Sequence, residues 1–358
     1  MSLDRLMKCA LVMCILGLST GMPSRCVHAQ ASKIQSLGGG RFMTEWQQRL
    51  PIAGVDRLRI AVSHNLGGQI VVAVTSTDTA RVNVSKILRA ESPAAAEVFD
   101  RAVNVRLERN GSDLRLNFDS PPGAPWEGTD FSVRCNVEIL LPPNLAIDVD
   151  ARHFDYDFEG PLRAVSIDTE FGLIKLRDVR EKVDLRGSFT PIELTQVRGA
   201  IFAQTSYATI KVSDAIADPE RAARFVNESG AIEISGIAGA FVVESSGFIK
   251  IDDAVLVGAA SRLNSRRAPV ELGITEFSGA QLKIASDLGP VSVTLPSAVS
   301  ARFQMSVGEG GSIRTRGVEL QTHKHLLSSG RIEGTAGRGE GVVDIEVTGR
   351  GMINVSGI

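Results

Sequence analysis

Aromatic residues are scarce in this chain, 5% of its 358 positions, with only two Trp and two Tyr, while glycine is plentiful at 35. A chain poor in rings and rich in glycine builds thin, regular layers joined by tight turns. Trp46 lies ahead of the region that repeats, and Tyr156 falls in an inward phase. With Trp126 and Tyr207, they offer little to a groove that holds sugars by stacking. Charge of one sign is also missing: 39 basic residues stand against 41 acidic ones. That balance speaks against a nucleic-acid partner or a polybasic membrane surface.

Long apolar runs are absent beyond residues 9–18, which are too few to span a bilayer. Arg5 and Lys8 precede that run, and Val27-His28-Ala29 follows it. This is the pattern of a secretory leader, with cleavage expected after Ala29. Cys14 follows Met13 and Cys26 follows Arg25, so neither has the small preceding residue of a lipoprotein site. Cleavage would remove Cys9, Cys14 and Cys26 and leave Cys135 alone, so no disulfide within the chain is expected. Cys135 is in phase with Val133 and Val137, as a small buried hydrophobe would be.

What the sequence does have is a recurring phrase. In chain order it reads EFGLIKL, SFTPIEL, SYATIKV, ESGAIEI, SSGFIKI, SRRAPVEL and SDLGPVSV, each a polar or glycine-bearing turn followed by apolar-x-apolar. The central apolar residues are Ile174, Ile192, Ile210, Ile232, Ile249, Val270 and Val291, at spacings of 18, 18, 22, 17, 21 and 21. A second alternating stretch precedes each turn. Alternation of period two marks strands with one buried and one wet face. A repeat of about 20 residues is the length of one solenoid coil. The expected fold is therefore all-β, a single-stranded parallel β-helix with coils of about 18–22 residues. Gly247 then reads as a corner glycine. The stretches GEGGSI and GTAGRGEG lack the Lys-Ser/Thr of a phosphate loop.

Between the apolar positions the charge alternates: Asp157, Lys175, Glu193, Lys211, Glu233, Lys250, Glu271. Stacked coils would set these residues about 4.8 Å apart. Alternating signs then attract and hold the register.

The organisation expected is a leader (1–29), a linker (30–54), an N-terminal β region (55–150) and the repeats (151–358). In the β region, residues 58–72 read as a first coil and Asn110-Gly111 as a hairpin turn. Short helices are expected near 93–102, where Ser92 caps and Pro93 opens the first turn, and near 219–225. Ala95, Val98, Phe99 and Ala102 would share the buried face of the first.

The phrases LRIAVSHNLGGQIVV, VEILLPPNLAIDVDA, ESGAIEISGI and SSGFIKIDDA resemble the bacterial putative-adhesin, β-strand-repeat family of unknown function, from about residue 55 onward. The resemblance implies a β-helix-like, exported and adhesin-like protein, and it carries over no catalytic residue. Arg266 and Arg267 depart from the small residues usual at such a turn.

Neither a cofactor nor a metal is expected. The weak metal candidates are Asp148, Asp150 and Asp155, with His153 near the same corner, and the strand-spaced pair His323 and His325, which lacks a third ligand. Serines at the turns have no placed histidine and read as turn formers. The sequence therefore favours a non-enzymatic envelope or surface module whose partner is a glycan, protein or other envelope component. The alternatives are a carbohydrate-active β-helix enzyme, and a periplasmic scaffold or sensor docking at an open last edge formed by residues 342–347 and 353–355.

Overall fold

The computed structural model describes residues 30–31, 33–326 and 330–358. The expected leader, with Cys9, Cys14, Cys26 and the cleavage point, lies outside the described residues. Among the described residues the fold is all-β, with 28 strands in one hydrogen-bonded network and a single helix, Pro93–Ala102. No helix among the described residues is long and apolar enough to cross a membrane.

Alternation explains the strands and their pairing. From Ile70 onward, parallel pairing aligns Ile70, Tyr156, Ile174, Ile192, Ile210, Ile232, Ile249, Val270, Val291 and Ile353 in one inward column. A second column aligns Ile60, Val149, Ile167, Leu185, Ala203, Phe225, Val243, Leu263, Ile284 and Ile345. All are buried. Each large aliphatic side chain so buried contributes roughly 1.5–3 kcal/mol, and a one-residue slip would turn the whole face to water. Strands Ile174–Gly187 and Ile192–Thr205 bend from one column to the other without breaking. Asp178 and Gln196 make the bend, with φ of 53° and 56°.

The helix near 93–102 forms as its cap predicts: the Ser92 side chain accepts from Ala95 N–H at 3.2 Å. Its buried residues are Ala96 and Phe99, whereas Val98 is exposed. Phe99 meets Trp126 edge-on at 5.5 Å, which sets the face.

The helix expected near 219–225 is replaced by a turn and the strand Ala223–Asn227. Asp218 closes the turn by accepting from Glu220 N–H at 2.8 Å and Arg221 N–H at 3.2 Å. Phe225 then fills the column between Ala203 and Val243, and burial of a ring outweighs the helical propensity of Glu-Arg-Ala-Ala.

Residues 30–54 are not a linker. Strand Arg41–Pro51 pairs antiparallel with Thr79–Arg89 along its whole length and buries Phe42 and Trp46. The hairpin of strands Asn104–Asn110 and Asp113–Asp119 turns through Gly111 and Ser112.

Both ends depart from chain order. Strands Arg57–Val62 and Gly67–Val74 lie between a later circuit, Asp113–Asp119 with Ser132–Leu141, and the next, Ala146–Asp150 with Phe154–Thr169. At the other end, Gly341–Val347 inserts between Gln281–Ser286 and Ala301–Val307. Met352–Gly357 inserts between Val291–Leu295 and Ser312–Arg316. The open last edge expected at 342–347 and 353–355 is thus absent. Those strands are paired on both sides, and Val343, Ile345, Val347, Ile353 and Val355 are buried. Intercalation satisfies two rows of backbone groups that an edge would leave bare. The outermost strand Ala301–Val307 is covered in turn by the antiparallel strand Arg331–Ala336.

Candidate functional site: an exposed aromatic column

The register sets the charged residues side by side: Asp157 beside Lys175, then Glu193, Lys211, Glu233, Lys250 and Glu271. Two steps close to ion-pair distance, Lys175–Glu193 at 3.3 Å and Lys211–Glu233 at 3.9 Å. Lys250 turns instead to Asp252 on its own strand, at 3.1 Å. That bond, more than the neighbouring Glu271 and Glu233, raises the Lys250 pKa.

The metal candidates are dispersed. Asp148 pairs with Arg57 at 3.4 Å, and Asp155 accepts from Leu173 N–H at 2.9 Å. His323 hydrogen-bonds Thr335 at 3.0 Å. The side chain of His325 lies outside the described residues. Among the described residues no three His, Cys, Asp or Glu side chains converge as a metal site. Asp150 stands beside Asp168, like charge against like, and both line a polar groove of about 430 Å³ with Arg152, Glu170, Arg186 and Glu228.

Above that groove runs a feature the count of Trp and Tyr conceals. Three residues before each central apolar position, His153, Phe171, Phe189 and Tyr207 stack face to face. Their centroids are 5.2, 5.6 and 5.1 Å apart and their planes lie within 11°, 11° and 16° of parallel. Phe171, Phe189 and Tyr207 are 44%, 53% and 61% exposed. Three of the four positions have left-handed backbone: His153 at φ 59°, Phe189 at 55° and Tyr207 at 62°. The phrases EFGLIKL, SFTPIEL and SYATIKV already carried the signal, since the ring recurs at one position in each.

Buried polar side chains hold this corner from within. Thr205 donates to Thr190 O at 2.8 Å, Ser245 to Gly230 O at 2.9 Å, Ser265 to Ala268 O at 2.8 Å and Ser286 to Gly289 O at 3.0 Å. The Asn227 amide donates to Ala208 O and Ala231 O. The Thr205 and Asn227 bonds satisfy inward carbonyls beside Phe189 and Tyr207, and the serine bonds do the same at the ringless turns that follow.

The column ends openly. The register that pairs Ile210 with Ile232 puts Ser229 beside Tyr207, and Ser246 follows. A groove of about 630 Å³ begins there, lined by Glu228, Ser229, Glu244, Ser246, Asn264 and Arg266, among others. Glu244 pairs with Arg224 at 3.3 Å, whereas Glu228 and Arg266 form no ion pair among the described residues. At the opposite corner, Asp178 holds Arg180 through two bonds of 3.0 Å.

No protein-family model matches the chain, and no curated protein matches it. Among solved structures, a "putative cell adhesion protein" from Clostridium sporogenes is 6% identical, over 88% of this chain and 99% of that one, with a TM-score of 0.22. A "putative adhesin" from Parabacteroides merdae is 11% identical, over 87% and 95%, with a TM-score of 0.30.

Proposed function

We propose that this chain is an exported, non-catalytic, adhesin-like module: a parallel β-helix that presents the aromatic column to an envelope or surface partner. The reading of the architecture is supported by parallel registers that align two inward columns through ten successive rungs. The functional reading is carried by one observation, four stacked rings held outward at a corner where smaller residues would serve. The corner continues at Ser229 and Ser246, across a one-residue shift between the Asn227–Ser245 and Ile232–Ile249 pairs and without left-handed backbone, so the rungs go on stacking where the rings stop. A left-handed residue with a Cβ costs roughly 1–2 kcal/mol, and where the opposite corner bears it with polar side chains such as Asp178 and Gln196, this corner bears it with rings. Half-exposed rings in a row, beside a groove of carboxylates, guanidinium groups and hydroxyls, form an adhesive surface of mixed character.

The test is an array of glycans and envelope components probed with the purified protein and with a Phe171→Ala/Phe189→Gly variant. Glycine at 189 accepts the left-handed backbone, which protects the fold of the variant. Saturable binding of one component class, lost in the variant, is the expected result. No saturable binding, or equal binding by both proteins, contradicts the proposal.

A further inference from the structure

Face-to-face stacking hides most ring faces. Within the column each ring covers its neighbour, so only edges reach solvent, and a free face remains only at an end. Tyr207 is such an end, more exposed than Phe171 and Phe189, with a short side chain, Ser229, next in register. Its outer face is turned along the stack toward Ser229, which lines the groove with Glu228, Glu244, Ser246, Asn264 and Arg266. One aromatic platform followed by hydroxyl, amide, carboxylate and guanidinium groups suits a ligand with one apolar face and a rim of hydroxyls.

Resting on the binding-face reading above, we infer that this groove holds a neutral saccharide, with one pyranose ring stacked on the outer face of Tyr207. A pyranose has this two-sided character: its axial C–H groups meet the ring and its hydroxyls meet Glu228 and Ser229 on the next rung, while the following sugar units of the chain reach Asn264 and Arg266, two rungs further along. Charges of both signs stand in the groove, Glu228 and the ion-paired Glu244 against Arg266, so no cluster of one sign recruits a charged sugar and a neutral one is the simplest match. An extended peptide is a poorer fit, because the strands of the groove floor, Ala223–Asn227, Phe241–Ser245 and Ala260–Ser265, already pair on both sides. A lipid tail would find little apolar wall, since Val226 alone among the lining residues is aliphatic.

The experiment is calorimetric titration with neutral tetrasaccharides of α-linked glucose, β-linked glucose and β-linked N-acetylglucosamine, with tetragalacturonate as the anionic control. At least one neutral probe binds saturably and the anionic control does not. Tyr207→Phe, which keeps the platform, retains the affinity, and Tyr207→Ala binds about tenfold more weakly, the scale of one lost aromatic stack. Asn264→Ala, which leaves the column untouched, weakens binding as well. Absence of saturable binding by every neutral probe overturns the assignment. So does preference for the anionic probe, or full affinity in a folded Tyr207→Ala protein. If the neutral panel fails while the array still yields a class lost in Phe171→Ala/Phe189→Gly, the saccharide is wrong and the binding face stands. If both fail, both fall.

Discussion

Phe189 and Tyr207 occupy a backbone region that residues with a Cβ seldom enter, and their rings stack at 5.1 Å. Stacking returns roughly 0.5–1.5 kcal/mol per pair, which about offsets the backbone cost. Stability alone therefore does not select rings here. On the neighbouring face charge alternates along the register instead. Lys211 lies between Glu193 and Glu233, so Lys211→Glu aligns three carboxylates. These side chains are about half exposed, and the loss should be about 1 kcal/mol at low salt, shrinking as salt is added. Urea unfolding at two ionic strengths checks this; a loss unchanged by salt would point to packing instead. Buried acids give a second residue-scale prediction. Burial pushes the Cys135 thiol from about 9.0 up to about 12, and the Tyr156 hydroxyl from 10.0 up to about 12. The folded protein then keeps protons that the unfolded chain releases once pH passes about 9. Stability should hold below pH 9 and fall between pH 9 and 12. A urea midpoint that stays level over that window would contradict the burial of both groups, and Cys135→Ala/Tyr156→Phe should flatten the fall.

Strands were the most legible elements, because Ile174 and Leu176, or Ile192 and Leu194, alternate with charged neighbours and admit one reading. Turns in which proline precedes good helix formers were not, and Ala223 to Phe225 shows why: the deciding term is a cavity between Ala203 and Val243, which only the assembled columns reveal. The aromatic column was hidden for a related reason. Residues 18 apart become neighbours only once the register is set, and a tally of Trp and Tyr overlooks two phenylalanines and a histidine. Nor could chain order foretell that strand Gly341–Val347 would insert between two earlier strands. That insertion has a measurable consequence. Ending the chain at residue 338 removes Val343, Ile345, Val347, Ile353 and Val355 from the core and bares the facing edges of Gln281–Ser286 and Ala301–Val307. Each lost aliphatic residue forfeits roughly 1.5–3 kcal/mol, so the truncated protein should aggregate or melt far below the intact one. An unchanged monomer with unchanged melting would refute the intercalated arrangement.

At the scale of the whole molecule, the rungs between the two rearranged ends form a ruler. The aromatic column occupies the four that carry His153, Phe171, Phe189 and Tyr207, and the saccharide groove lies just beyond them. Both stand at one corner, with the Asp178–Arg180 corner on the other side of the stack as a built-in control. Amide hydrogen exchange in the presence and absence of the component captured on the array locates the contact directly. Binding at the aromatic corner should slow exchange in residues 170–173, 188–191 and 206–209 and leave 178–180, 196–198 and 214–216 unchanged. Protection of the opposite corner or of the ends, with the aromatic corner unaffected, would contradict the account.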